Sequence, residues 1–138
     1  MTNMQVIQKT ERSNVSVAAC PSREVLQHVT SRWGVLVLIE LGAGTCRFSE
    51  LRRKIGGVSE RMLTQTLQHL EGDGLVDRTA YEVMPPHVEY TLTPLGQDIA
   101  EKVQELLGWI IERLPQILHS QTKQKLARSK KVKYKAAW

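Results

Sequence analysis

Seven apolar residues in the second half of the chain, Leu95, Ile99, Val103, Leu106, Ile110, Leu114 and Ile117, step by four, four, three, four, four and three. That rhythm is the period of a single helix face, and it runs for about six turns. Leu107, Trp109 and Ile111 widen the stripe. A stripe this long is more than a compact domain in a 138-residue chain needs to close its own core. Its excess has to be covered, and a second copy of the chain does so symmetrically. Thr93 suits the cap of this helix and Pro94 its first position. Pro115 is expected to kink or end it near Leu114.

The residues before this helix read as short elements separated by glycines. Pro21 and Ser22 look like a helix start with Ser22 as the cap, followed by the apolar face Val25, Leu26 and Val29. Trp33 to Leu41 is strongly apolar and helical in type, and Gly42-Ala43-Gly44 ends it. Arg47-Phe48 reads as short and extended, an edge strand. Ser49 to Ile55 forms a short helix stopped by Gly56-Gly57. Ser59 caps the next helix, whose buried face is Leu63, Leu67 and Leu70, and Gly72 and Gly74 stop it. Two short helices around a glycine-containing turn make a helix-turn-helix pattern. Leu75 to Tyr81 then reads as a strand, Met84-Pro85-Pro86-His87 breaks it, and Val88 to Thr93 resumes it. Two strands joined by a loop directly after such a helix make a wing.

The expected fold is therefore mainly α with a small antiparallel β wing: a winged helix-turn-helix with a long C-terminal dimerisation helix. Residues 1–19 are expected to be a flexible arm, 20–118 the winged helix-turn-helix domain with its dimerisation helix, and 119–138 a basic, disordered tail.

Composition excludes several function classes. The apolar fraction is 41%, sufficient for a core, yet no run approaches the roughly 20 apolar residues of a membrane helix. The N-terminal residues are polar and lack an apolar signal segment, so a cytoplasmic location without membrane partners is expected. The net charge is +5, but seven of the 19 Lys/Arg lie after Leu118 with no acid among them. A basic tail either binds DNA phosphates without reading sequence or is a solvated end. Cys20 and Cys46 form no CxxC and no Cys/His cluster, so neither a zinc site nor a structural disulfide is expected. The histidines His28, His69, His87 and His119 are scattered. No Ser/His/Asp set, carboxylate pair or phosphate loop appears, so the chain is not expected to be an enzyme or to need a cofactor or metal.

The helix beginning at Ser59 carries Arg61, Thr64, Gln65 and Gln68 on the face opposite its leucines. Arg bridges two guanine acceptors and Gln does the same for adenine. Ser59, at the helix N-terminus, suits a phosphate. Arg52, Arg53 and Lys54 on the preceding helix suit the flanking backbone. Taken alone, this is an amphipathic helix with a polar outer face; the order helix, turn, helix, strand, wing, strand makes it a recognition helix.

Across Cys20 to Trp109 the chain also resembles a known family. Cys20-Pro21, Arg32-Trp33, Arg47-Phe48-Ser49-Glu50-Leu51, Ser59-Glu60-Arg61-Met62-Leu63, Leu70-Glu71-Gly72-Asp73-Gly74-Leu75-Val76, Pro85-Pro86, Val88-Glu89-Tyr90 and Leu92-Thr93-Pro94-Leu95-Gly96 together are similar to the HxlR-type regulators, relatives of the MarR group. The resemblance implies a homodimer reading a palindromic operator in double-stranded DNA, with the second helix of the motif in the major groove and the wing near the minor groove. By that likeness Ser59, Arg61, Thr64, Gln65 and Gln68 face DNA, with Arg78 and His87 on the wing strands. The family commonly has Arg where this chain has His87, and near neutral pH imidazole is the weaker phosphate partner. The basic tail is not part of the family pattern.

In some HxlR-type proteins a cysteine at the place of Cys20 senses oxidants, quinones or aldehydes. A helix N-terminus favours the reactive thiolate in general, and Arg23 is nearby in sequence; the other reading is a half-buried thiol packed against a partner subunit. Cys46 reads as a turn residue, either an exposed second thiol or inert. The expected function is a sequence-specific DNA-binding transcription regulator, a repressor, responding to a small-molecule oxidant or electrophile through Cys20. The alternative is a redox or ligand sensor that acts through protein partners without specific DNA binding.

Overall fold

The computed structural model describes residues 13–136, and side chains up to residue 131. The order of elements is α1 (Pro21–Thr30), α2 (Arg32–Gly42), β1 (Cys46–Arg47), α3 (Phe48–Lys54), α4 (Glu60–Gly72), β2 (Val76–Tyr81), β3 (His87–Leu92) and α5 (Pro94–Ala136). This is a mainly helical fold with a small antiparallel sheet and a long C-terminal helix, as the sequence pattern predicts. The chain divides at Val103 into two units, with the second consisting of α5 from Gln104 onward.

Local chemistry explains most boundaries. Cys20, in an extended conformation, is the N-cap of α1 and Pro21 takes the first turn, so Ser22 lies inside the helix instead of capping it. Proline's fixed φ is already helical, and its missing N–H is one the first turn leaves unpaired anyway. Ser31 joins α1 to α2: its Oγ donates to the His28 carbonyl (2.9 Å) and accepts from the Gly34 N–H (3.0 Å). Ser59 caps α4 by accepting from the Met62 N–H at 3.1 Å. Gly74, at a φ of 75°, turns the chain out of α4 where a Cβ would be strained. Thr93 ties the start of α5 to that turn. Its Oγ1 donates to the Gly74 carbonyl (2.6 Å) and accepts from the Gly96 N–H (3.0 Å).

The sheet has the order β1-β3-β2. β2 and β3 pair from Val76↔Leu92 to Tyr81↔His87, and β1 adds Cys46↔Tyr90 and Arg47↔Glu89. The predicted strand at Arg47-Phe48 is shifted by one residue, because Phe48 already opens α3. The shift decides the fate of Cys46. Alternation turns Cys46 inward and Arg47 outward, so Cys46 is buried in the core, not exposed in a turn. That core is built from Val37, Leu38 and Leu41 of α2, Leu51 of α3, and Leu63, Leu67 and Leu70 of α4, closed by Val76, Tyr90, Leu92, Ala100 and Val103.

Of the two outcomes expected at Pro115, a kink or an end, the helix does not end there, and it continues to Ala136 where a disordered tail was expected from residue 119. A proline deletes one backbone hydrogen bond, to the carbonyl four residues back, and on an exposed helix water can take that carbonyl. Beyond it, Gln, Lys, Leu, Ala and Arg are good helix formers, and no glycine intervenes before Ala136. The expected flexible arm lies outside the described residues up to position 12; positions 15–19 form turns.

Candidate nucleic-acid interface

Helix α4 has an apolar and a polar side. Leu63, Leu67 and Leu70 are fully buried, while Arg61, Thr64, Gln65 and Gln68 are exposed. At about 100° per residue these four fall within an arc of roughly 100°. The outer face is therefore a continuous strip of donors and acceptors on a helix whose other side is locked into the core. Such rigidity is what reading base edges needs, since each added degree of freedom would have to be ordered on binding.

Some of these groups are already committed. Thr64 Oγ1 donates to the Glu60 carbonyl of its own helix at 2.8 Å, which leaves its methyl group and its acceptor lone pairs for a ligand. Ser59 Oγ accepts the capping bond and keeps its own proton to give.

The structure brings Thr64 and Gln68 of α4 together with Arg78 of β2 and His87 of β3 around one open concavity of about 690 Å³. Ser59, Arg61 and Gln65 lie outside its lining, further along the exposed side of α4. Arg52 and Arg53 line a second depression beside Glu60, which shares Phe48 and Ser49 with the first. Arg52 pairs with Glu60 at 3.5 Å. Both side chains are exposed, so this pair is weak and easily exchanged for a phosphate. His87 is held on two sides: Nε2 lies 3.4 Å from Glu89 Oε1, and its ring stacks on Tyr81 at 4.9 Å. It is thus a positioned group of the wing, with an acid beside it, and a less open phosphate partner than Arg78.

Arg47 and Ser49 also line the main concavity, and the sequence pattern did not single them out. Arg47 is exposed and pairs in register with Glu89 on the wing strand. Its signal was weak: a cation alternating with an inward cysteine on a two-residue strand. Only the pairing of β1 with β3 carries it to the wing. Glu71 lines the same concavity and is its acidic member.

Cys20 is buried at the start of α1, and Arg23 Nη1 donates to the Ser16 carbonyl at 3.2 Å. Cys46, also buried, has Lys54 Nζ at 3.9 Å from its sulfur. Among the described residues no cluster of His, Cys, Asp and Glu has metal-binding geometry, and no helix is long and apolar enough to cross a membrane.

A family model described as HxlR-like helix-turn-helix matches residues 28–118. YtfH of Escherichia coli K12, an uncharacterized HTH-type transcriptional regulator, is 58% identical over 118 residues, covering 86% of this chain and 94% of that protein. Among solved structures, the transcriptional regulator ytfH from Salmonella typhimurium is 60% identical with a TM-score of 0.75, covering 78% of this chain and 96% of that one. The redox regulator HypR in its oxidized form is 34% identical with a TM-score of 0.62, covering 67% and 96%. Both YtfH relatives are described as transcriptional regulators, not enzymes.

Proposed function

Since this chain belongs to the HxlR-like helix-turn-helix family of transcriptional regulators, we propose that it is a homodimeric repressor that binds a palindromic operator through the outer face of α4. The observation that carries this reading is the side-chain set Arg61, Thr64, Gln65 and Gln68, exposed on a helix whose opposite side is fully buried. Arg61 and Gln65 supply bidentate contacts to purine edges in the major groove. Thr64 and Gln68, with Arg78 and His87, form the wall between α4 and the wing. Arg52, Arg53 and Ser59 bind the flanking phosphates and hold the register. Two copies place two α4 helices about one duplex turn apart, which makes the operator palindromic.

The second copy is held by the seam on α5. Leu106, Trp109, Ile110, Leu114 and Leu118 are all exposed in the single chain. A contiguous apolar stripe left in water is an interaction surface, and its self-complementary repeat suits a two-fold partner.

The reading is tested by selecting bound fragments from genomic DNA with the purified protein. An inverted-repeat consensus is expected, and the double variant Arg61→Ala/Gln65→Ala is expected to lose it. Fragments without any shared sequence would sink the proposal.

Response to oxidants or electrophiles is assigned to Cys20. Its support is its place at the N-terminus of α1 and the likeness to HypR, a redox regulator. Because the thiol is buried, reaction requires local opening around the start of α1. Diamide is expected to lower operator affinity in the wild type and to leave Cys20→Ser unchanged. An equal loss in both would remove Cys20 as the switch.

A further inference from the structure

Past Leu118 the long helix changes character. Its last acid is Glu112, and from His119 onward every charged residue is a cation. Lys123, Lys125, Arg128, Lys130 and Lys131 are exposed, and none forms an ion pair among the described residues. The direction of the seam is preserved while its chemistry inverts. At about 100° per residue, Gln121, Gln124, Lys125, Arg128 and Lys131 fall within the same arc of roughly 120° as Ile110, Leu114 and Ile117. An apolar face thus becomes an amide face and then a cationic one. The segment also lies beyond residue 118, where the match to the family ends.

We propose that this cationic end of α5 is a second, sequence-independent contact to the phosphate backbone of duplex DNA. The proposal rests on the reading of the protein as DNA-binding, which supplies the duplex. Charge complementarity selects the occupant. A second copy would present the same cations, and like charges repel. An anionic membrane needs an apolar face to bury as well, but between positions 119 and 131 the apolar residues are Leu126 and Ala127 alone. A polyanion needs only the cations. Lys125, Arg128 and Lys131 advance by about 4.5 Å per step along the helix, against roughly 3.4 Å of axis per phosphate on one strand, so the row has no one-to-one register with the phosphates and its long, flexible side chains make the contacts. Each neutralised phosphate releases condensed counterions, so the contact adds affinity for any sequence and steepens the salt dependence.

The test is the full-length triple variant Lys125→Gln/Arg128→Gln/Lys131→Gln, in which glutamine preserves helix propensity. Fluorescence anisotropy is measured across a salt series on a selected genomic fragment and on a scrambled duplex of equal length. Both affinities are expected to fall by a similar factor, and the slope of log affinity against log salt to flatten by about 2 to 3 per chain. The Arg61→Ala/Gln65→Ala variant separates this proposal from the preceding one: it is expected to lose preference for the fragment while keeping the slope on scrambled duplex. If it loses no preference while the triple variant still flattens the scrambled-duplex slope, base reading by α4 fails and the phosphate contact stands. Unchanged slopes in the triple variant overturn the phosphate contact. So does an effect of the triple variant on phosphatidylserine vesicle binding alone.

Discussion

At the scale of single residues, the proposed interface divides groups assigned to reading bases from groups assigned to holding the backbone. Arg61 and Gln65 are exposed on α4 and lie outside the lining of the concavity, and the proposed function assigns them to base edges. Truncating either is expected to cost about 1–3 kcal/mol of discrimination at one base position, seen as relaxed sequence preference. Arg47 is assigned a different role. It sits on β1 opposite Glu89 and lines the concavity together with Arg78, where an exposed cation suits a phosphate. Arg47→Ala is expected to weaken binding to all sequences alike and to lower the salt slope by about 1, measured by anisotropy on matched and scrambled duplexes. A selective loss on one sequence would assign Arg47 to base reading instead.

At the scale of elements, α4 is fixed among its neighbours by a few close contacts. His28 Nδ1 lies 2.7 Å from Asp73 Oδ2, which joins α1 to the C-cap of α4, and the rings of His28 and His69 stack at 4.4 Å. At the other side, Thr93 fastens α5 to the turn after α4. Gly96 is packed there so closely that a Cβ would overlap the Leu75 carbonyl. Backbone cannot swing aside as a flexible side chain can. Gly96→Ala is therefore expected to destabilise the fold by about 1–3 kcal/mol, read as a lowered urea midpoint with an unchanged slope. Gly108 is the contrast, since a Cβ there meets nothing within 4 Å. Gly108→Ala is expected to be neutral or stabilising, because alanine gains helix propensity.

At the scale of the whole molecule, α5 carries two chemistries in succession, an apolar seam and a cationic end. If the seam joins two copies, charges placed in it must separate them. Leu106→Asp/Ile110→Asp is expected to give a monomer by sedimentation while leaving the residues of the core, none of which is replaced, folded. Operator affinity is then expected to fall steeply, because two linked half-sites bind far better than one. A variant that stays dimeric would place the interface elsewhere on the chain.

The sequence by itself determined the features that depend on spacing along one stretch of chain. The helix period set the leucine side of α4 and, by exclusion, its outer face of Arg61, Thr64, Gln65 and Gln68. Ser59 and Thr93 announced their helices because a capping bond spans three residues. Where two local signals compete, spacing along the chain does not choose between them: Pro115 permits a kink or an end, while the good helix formers around it carry the helix on to Ala136. The tertiary structure alone decided what depends on distant pairing. Cys46 is buried, and Arg47 joins the wing, because β1 pairs with a strand more than forty residues away. His28 meets Asp73 across 45 residues. Thr64, Gln68, Arg78 and His87 share a concavity only once β2 and β3 have folded back beside α4. Periodicity reports which side of an element faces inward, but it carries no information about which other element is waiting there.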